Sequence, residues 1–317
     1  MANRRHPFVF AMLCLVVWLP WTAPAGTLEL ALLLSGDGAE YRQVAEAIEA
    51  EFGRHGAPAV TFKVLNVKQY SAEQLASELQ SAPALAVTVG IRATSLALER
   101  EAPYPVLATL VPRLSYEALL RMLRGRQPER DFGRHSALYL EQPLAQQVRL
   151  AQLLNPGPLR LGLMLGPRAA EELPAADIPD IPVRSVVVSD KDAVADTLAS
   201  ELSEIDLLLT VYDPAIIDRR VVSQILYAAY RRRVAVLGYS ETLVAAGALA
   251  ALHSDSTQVG RHTAELIQTA LERKPLTLGE PQYPRYFRLR CNEAVARYLE
   301  LDRVCLDRVR QELGAEP

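Results

Sequence analysis

Two doubly wound α/β lobes with parallel sheets are predicted by three observations: the length of the chain, its apolar content, and the alternation of short apolar runs with segments of helical periodicity. At 317 residues the chain exceeds the size at which one hydrophobic core stops growing, so two are expected. Apolar residues make up 50% of it, enough to fill both. Strand-length runs alternating with amphipathic helices are the mark of parallel sheets built from βαβ units.

The elements follow in order from Thr27. A strand from Leu28 to Leu34 ends at Ser35-Gly36-Asp37-Gly38, a turn that opens a helix with Tyr41, Val44, Ala45, Ile48 and Phe52 at helical spacing. Strands are expected at Ala59 to Leu65, Leu85 to Val89 and Val106 to Val111, separated by a helix carrying Leu75 and Leu79 and one that begins near Ala93. After Pro112 the pattern loosens, and the basic stretch Arg121 to Arg134 reads as the first passage between lobes. Alternation resumes with helix Leu144 to Leu154, strands Arg160 to Leu165 and Val183 to Val188, helix Asp192 to Leu202, strand Leu207 to Val211, helix Arg219 to Tyr230 and strand Val234 to Gly238. A small apolar segment, Gly247 to His253, precedes a helix from Thr257 to Leu271; an extended run, Tyr286 to Leu289, and a helix from Asn292 complete the series. On this reading residues 26–112 and 253–280 form the first lobe, and residues 113–252 and 281–317 the second.

Residues 1–25 read as a signal peptide: Arg4 and Arg5 precede the apolar run Phe8 to Leu19, and Ala23 and Ala25 are the small residues a signal peptidase requires. A retained anchor is the alternative, opposed by Pro20 and Pro24 and by the shortness of the run. Cys14 lies inside that run behind Ala11-Met12-Leu13, without the small residue expected before a lipidated cysteine. Removal of the segment takes away two arginines and no acid, leaving an acidic remainder. That balance argues against nucleic acid as a partner, and the densest basic run, Arg231-Arg232-Arg233, suits the end of a helix. Cys291 and Cys305 either pair in an oxidising compartment or stay separate buried thiols. The sequence carries no Gly-x-Ser-x-Gly elbow, P-loop, dinucleotide fingerprint, His-Glu-x-x-His or Cys-x-x-Cys pair, so no enzyme, cofactor or metal is expected.

The small apolar run Val244 to Leu252, then Gly260-Arg261-His262-Thr263-Ala264, Lys274-Pro275 and Asn292 to Ala296 before Leu299 resembles the ABC-transporter substrate-binding protein family with a type 1 periplasmic-binding fold. Upstream, Glu141-Gln142-Pro143 opening a helix, Tyr212-Asp213-Pro214 after a strand, the helix Ser223 to Arg232 and Gly238-Tyr239-Ser240 are similar to that family too. The resemblance implies two lobes joined by three crossovers, with a small molecule held in the cleft between them. It further implies a periplasmic receptor that delivers an amino acid or related carboxylate to an ABC permease in the inner membrane. The alternative is a sensing or accessory protein that signals to a membrane receptor such as a histidine kinase. Two departures stand out: Pro112-Arg113 where the family has Asp-Pro after the fourth strand, and a charged extension from Asp302 to Pro317.

In open α/β sheets the crevice lies beyond the carboxyl ends of the strands, where helix N-termini offer free N–H groups. Candidate ligand contacts are therefore Ser35 and Asp37; Thr88, Gly90 and Thr94; Tyr139 and Gln142; Tyr212 and Asp213; Ser240; and Asp255. Each has a structural alternative as a helix cap or turn residue. Tyr212 beside Asp213 suits a ligand with an ammonium group, since an aromatic face and a carboxylate both attract one.

Overall fold

The leucine run at the start of the fold is buried from Leu30 to Leu34, as a strand covered on both faces requires. This strand, β1 (Leu28–Leu34), pairs in parallel with β2 (Val60–Asn66) on one side and β3 (Leu85–Val89) on the other. With β4 (Val106–Val111) and β5 (His135–Tyr139) it makes a five-stranded parallel sheet of order β2-β1-β3-β4-β5. The structure is a computed structural model and describes residues 27–54, 60–80, 83–99, 103–129, 133–155, 157–173, 181–301 and 306–316.

Side chains alternate across a strand with a period of two, and the sheet uses this to separate two cores. Ala31, Leu33, Ala86, Ala108, Ala137 and Tyr139 face one layer, with α3 (Ile91–Glu99) and α4 (Arg113–Arg126), and α2 (Ala72–Glu78) packs on the same side through Leu75. Leu30, Leu32, Leu85, Val87, Leu107 and Leu138 face the other, covered by α1 (Ala39–Arg54) and α10 (Ser256–Glu272).

The second sheet has the order β11-β10-β9-β8-β6-β7, formed by β6 (Leu161–Leu165), β7 (Val183–Val187), β8 (Leu207–Thr210), β9 (Ala235–Gly238), β10 (Ala250–His253) and β11 (Arg288–Cys291). Counted from β6, its parallel strands repeat the order of the first sheet, and β11 is added antiparallel at the edge. One face packs against α5 (Leu144–Leu154) and α12 (Leu306–Leu313), the other against α7 (Val194–Glu201) and α8 (Arg219–Arg231). Short helices α6 (Pro167–Glu172), α9 (Glu241–Ala246) and α11 (Glu293–Tyr298) complete the lobe.

Three crossings link the lobes: 140–143 between β5 and α5, 254–255 between β10 and α10, and 283–287 on the way to β11. Before the third, Gln282 extends the first sheet by exchanging backbone hydrogen bonds with Ala137 and Tyr139, both 2.9 Å. Side chains stitch the three together. Gln142 Nε2 donates to Ser254 Oγ at 2.9 Å, and Ser254 Oγ donates to the Tyr286 carbonyl at 2.6 Å. His262 Nδ1 accepts from the Arg285 N–H at 3.1 Å, and burial depresses its pKa to about 4, so it stays a neutral acceptor.

The sequence reading placed the first lobe boundary too early. Residues 113–126 are α4, whose Leu119, Leu120 and Leu123 fill the first core, and β5 belongs to the first sheet. The loosened pattern reflects basic residues on the outer face of a helix, and after it comes a five-residue strand that starts at a histidine. The expected signal peptide lies outside the described residues. So does Cys305, and with it any pairing with Cys291, whose half-buried thiol is pushed up to about 11 by burial. Among the described residues no helix is long and apolar enough to cross a membrane, and no group of three metal-ligating side chains is present.

Candidate functional site between the lobes

Strand order reverses between β1 and β3 in the first lobe and between β6 and β8 in the second, and a doubly wound fold offers its binding crevice at these points. Of the sequence candidates, Ser35, Asp37, Thr88, Gly90, Thr94, Tyr212 and Asp213 lie at these strand ends, and the structure engages several of them in hydrogen bonds of the fold itself. Ser35 Oγ accepts the Ala93 N–H at 2.9 Å, capping the first turn of α3 from the neighbouring strand end. Thr94 Oγ1 donates to the Gly90 carbonyl and lies 2.9 Å from Thr88 Oγ1, with both threonines fully buried. Gly90 has φ +89°, and a Cβ there would lie 2.7 Å from Ser35 Oγ, so the turn admits only glycine.

The second lobe repeats the device with a carboxylate. Asp213 is 1% exposed; its Oδ2 accepts the Ala169 N–H from α6, and its Oδ1 accepts the Ala215 N–H, both at 2.9 Å. Replacing Asp213 with alanine strands the buried Ala169 N–H, whereas the exposed Ala215 can turn to water, and a loss of about 2 kcal/mol in unfolding free energy is expected in urea titration. Tyr212→Ala at the next position should cost far less. Ser240 and Asp255 are N-caps, of α9 and α10; Asp255 forms a capping box with Gln258 and an ion pair with Arg288 at 2.7 Å. Asp37 is exposed, and its carboxylate accepts from Asn66 Nδ2.

A second cluster of polar and aromatic side chains lies beside the first crossing. Tyr139 is buried between the rings of Tyr116 and Tyr283, at 6.2 and 5.2 Å. Arg113, at the start of α4, donates to Tyr283 Oη at 2.8 Å and to Glu117 at 2.7 Å. Glu141 Oε1 accepts the Arg113 N–H at 2.9 Å and supplies the cap that Pro112 lacks. Its second oxygen, Oε2, is buried with no hydrogen-bond partner. Burial raises the Glu141 pKa to about 7 against the opposing pull of backbone N–H groups and Arg113. From the second lobe, Tyr212 and Tyr239 form an edge-to-face pair at 5.3 Å. The Tyr212 hydroxyl pKa is raised, first by burial and then by the charges of Glu141 and Asp213.

The structure packs Tyr139 against Tyr283, bonds Gln142 to Ser254 and stacks Tyr212 edge-to-face on Tyr239, and it leaves Asp37 and Gly90 in the first-lobe loops. Gln142 is buried and bonded into the crossings, with Oε1 unpartnered. Sequence reasoning singled out Asp213 as the acid beside Tyr212, but both its oxygens are engaged by backbone donors. Among the described residues, the acid with a buried oxygen that has no partner is Glu141. The available signal was the departure at Pro112-Arg113, where a helix begins with no capping side chain of its own.

No family model matches the sequence, and no curated protein matches it. Solved structures do. A ligand-free, open substrate-binding protein with adhesive properties from Clostridium difficile superposes with a TM-score of 0.64 at 13% identity, covering 86% of this chain and 95% of that one. An ABC domain in complex with L-Trp from Streptococcus pneumonia gives 0.54 at 16% identity, covering 87% and 95%. A periplasmic ribose ABC transporter protein from Conexibacter woesei gives 0.52 at 12%, covering 88% and 96%. At these identities the similarity establishes the fold: the chain has the two-lobed architecture of type 1 periplasmic-binding proteins.

Proposed function

We propose that this protein is an exported receptor that captures a small amine-bearing solute, an amino acid or a related zwitterion, between its lobes and does no chemistry on it. The observation that carries the reading is the buried, unpartnered Oε2 of Glu141, whose charge is felt at Tyr212, the half-buried partner of Tyr239. A carboxylate oxygen without a partner is costly in a low-dielectric site, and an ammonium group relieves that cost while aromatic faces add cation–π attraction. Glu141 sits at the first crossing and the tyrosines on the second lobe, so a ligand touching both favours the closed arrangement by its differential affinity. The L-Trp complex of a protein with the same fold is consistent with such a ligand. Delivery to an ABC permease is the role we propose for the closed form; an adjacent permease and ATPase gene would support it, and an adjacent membrane histidine kinase would favour sensing.

A thermal-shift screen of residues 26–317 against amino acids, short peptides, sugars and carboxylates tests the ligand class, because binding to the native state alone raises the melting temperature with concentration. Amino acids or other zwitterions should raise it by several degrees. A response to sugars alone, or to nothing, would refute the reading.

A further inference from the structure

The segment 306–316 joins the second lobe and then reaches out of it. α12 lies along α5, with Val309 buried in the second core, Arg149 and Glu312 paired at 3.3 Å, and Gln146 Nε2 donating to the Leu313 carbonyl at 3.5 Å. Past Gly314, at φ +73°, the chain turns onto the third crossing. There the Glu316 N–H donates to the Phe287 carbonyl at 2.8 Å, and Glu316 bridges to Arg288.

The side chain of Glu316 points the other way. Its Oε2 accepts from Gln258 Nε2 at 2.6 Å, and its Oε1 faces the Arg261 guanidinium at 3.5 Å; both partners stand on α10, which is packed into the first lobe. Gln258 is not a loose surface amide. It is 4% exposed, and its Oε1 is held by the Asp255 N–H at 3.0 Å, so its amino group is aimed at Glu316 by the capping box. The neighbouring Asp255–Arg288 pair ties the third crossing to the same end of α10.

Glu316 is thus fixed to the second lobe by its main chain and to the first by a charge-assisted hydrogen bond, at the place where the lobes pivot. Its carboxylate lies three residues beyond the end of α12 and caps no helix, so neither lobe's own core depends on it. We propose that Glu316 is a clasp across the hinge: it holds the lobes in the arrangement seen here, and this contact breaks when they rotate. The device acts on the equilibrium between lobe arrangements and does not depend on which ligand the cleft takes.

Pulsed EPR distances on the ligand-free protein test this directly. Spin labels at Glu49→Cys on α1 and Ala199→Cys on α7, both exposed positions, report the lobe separation once Cys291 and Cys305 are changed to serine. Glu316→Ala should raise the ratio of a second distance to the main one by roughly tenfold. Glu316→Gln, which keeps an acceptor for Gln258, should recover most of the parent distribution. A Glu316→Ala distribution that coincides with the parent overturns the clasp, as does a fall in melting temperature with no change in distance, which would mark a merely structural contact.

Discussion

Gly260→Val should unfold this protein or come close to it, with Gly260→Ala a milder version of the same defect. Gly260 lies where α10 crosses α1, and a Cβ there would be 2.5 Å from Ala47 Cβ, 2.8 Å from the Val44 carbonyl oxygen and 3.3 Å from the Ile48 N–H nitrogen. Two of those neighbours are backbone, so no rotamer change relieves the clash and the helices must separate. Alanine in a helix is favoured over glycine by about 1 kcal/mol, whereas overpacking costs about 1–3 kcal/mol. The balance for Gly260→Ala is a loss of up to about 2 kcal/mol. Valine adds two methyl groups and gives up the propensity gain, so about 3 kcal/mol or more is expected. Separation would also strain the buried Thr263–Thr109 hydrogen bond, 2.9 Å, that pins α10 to β4, and would disturb the end of α10 that carries Asp255 and Gln258. Denaturant unfolding of the three proteins checks this. Equal midpoints for glycine and alanine would show that the crossing has room to give.

The parallel strands were legible because burial on both faces writes itself as a nearly continuous apolar run, broken only at Glu29, Thr88 and Thr109: Leu28–Leu34, Leu85–Val89 and Val106–Val111 were expected with the bounds observed. The same logic failed at β5, where a short strand begins with a half-buried histidine, and at α4, whose basic outer face masks its leucines. The switch-point loops were legible as locations but not as chemistry. Ser35 and Asp213 have the residue types of ligand contacts, yet their oxygens cap helices that start on neighbouring strands, at sequence separations of 58 and 44 residues. Such long-range caps leave no local pattern. Glu141 and the hinge residues Ser254, Tyr283 and Glu316 were hidden for the same reason: each acquires its role from a partner that only the three-dimensional path of the chain supplies.

Glu141→Gln should make the ligand-free protein more stable than the parent at pH 8 and no more stable at pH 4, while abolishing capture of an amine. In the folded protein the carboxyl pKa is raised from 4.5 to about 7 by burial. The native state therefore holds this proton more tightly than the unfolded chain does. The stability the proton contributes is fully present below pH 4.5, declines through the window from 4.5 to 7, and is absent above 7. A rise of that size corresponds to about 3 kcal/mol. The groups that face Glu141 act on both sides: the backbone N–H groups of Glu141 and Arg113 and the Arg113 guanidinium favour the charge, Glu117 opposes it, and the loss of water outweighs the groups that favour it. Glutamine imitates the neutral acid, keeps an acceptor for the Arg113 N–H, and removes the titration. The parent's melting temperature should thus fall away from that of the variant as pH rises from 4.5 to 8. Ligand reverses the balance. An ammonium group at Oε2 favours the charged form, so binding to the parent releases a proton below pH 7, and affinity weakens by about tenfold per pH unit there. Removing the charge from such a buried pair costs about 2–5 kcal/mol, enough for at least a thirtyfold loss of affinity. Melting curves that differ between parent and variant by the same amount at pH 4 and pH 8 would show that the Glu141 carboxylate is solvated after all, and the amine would then lose its anchor in the cleft.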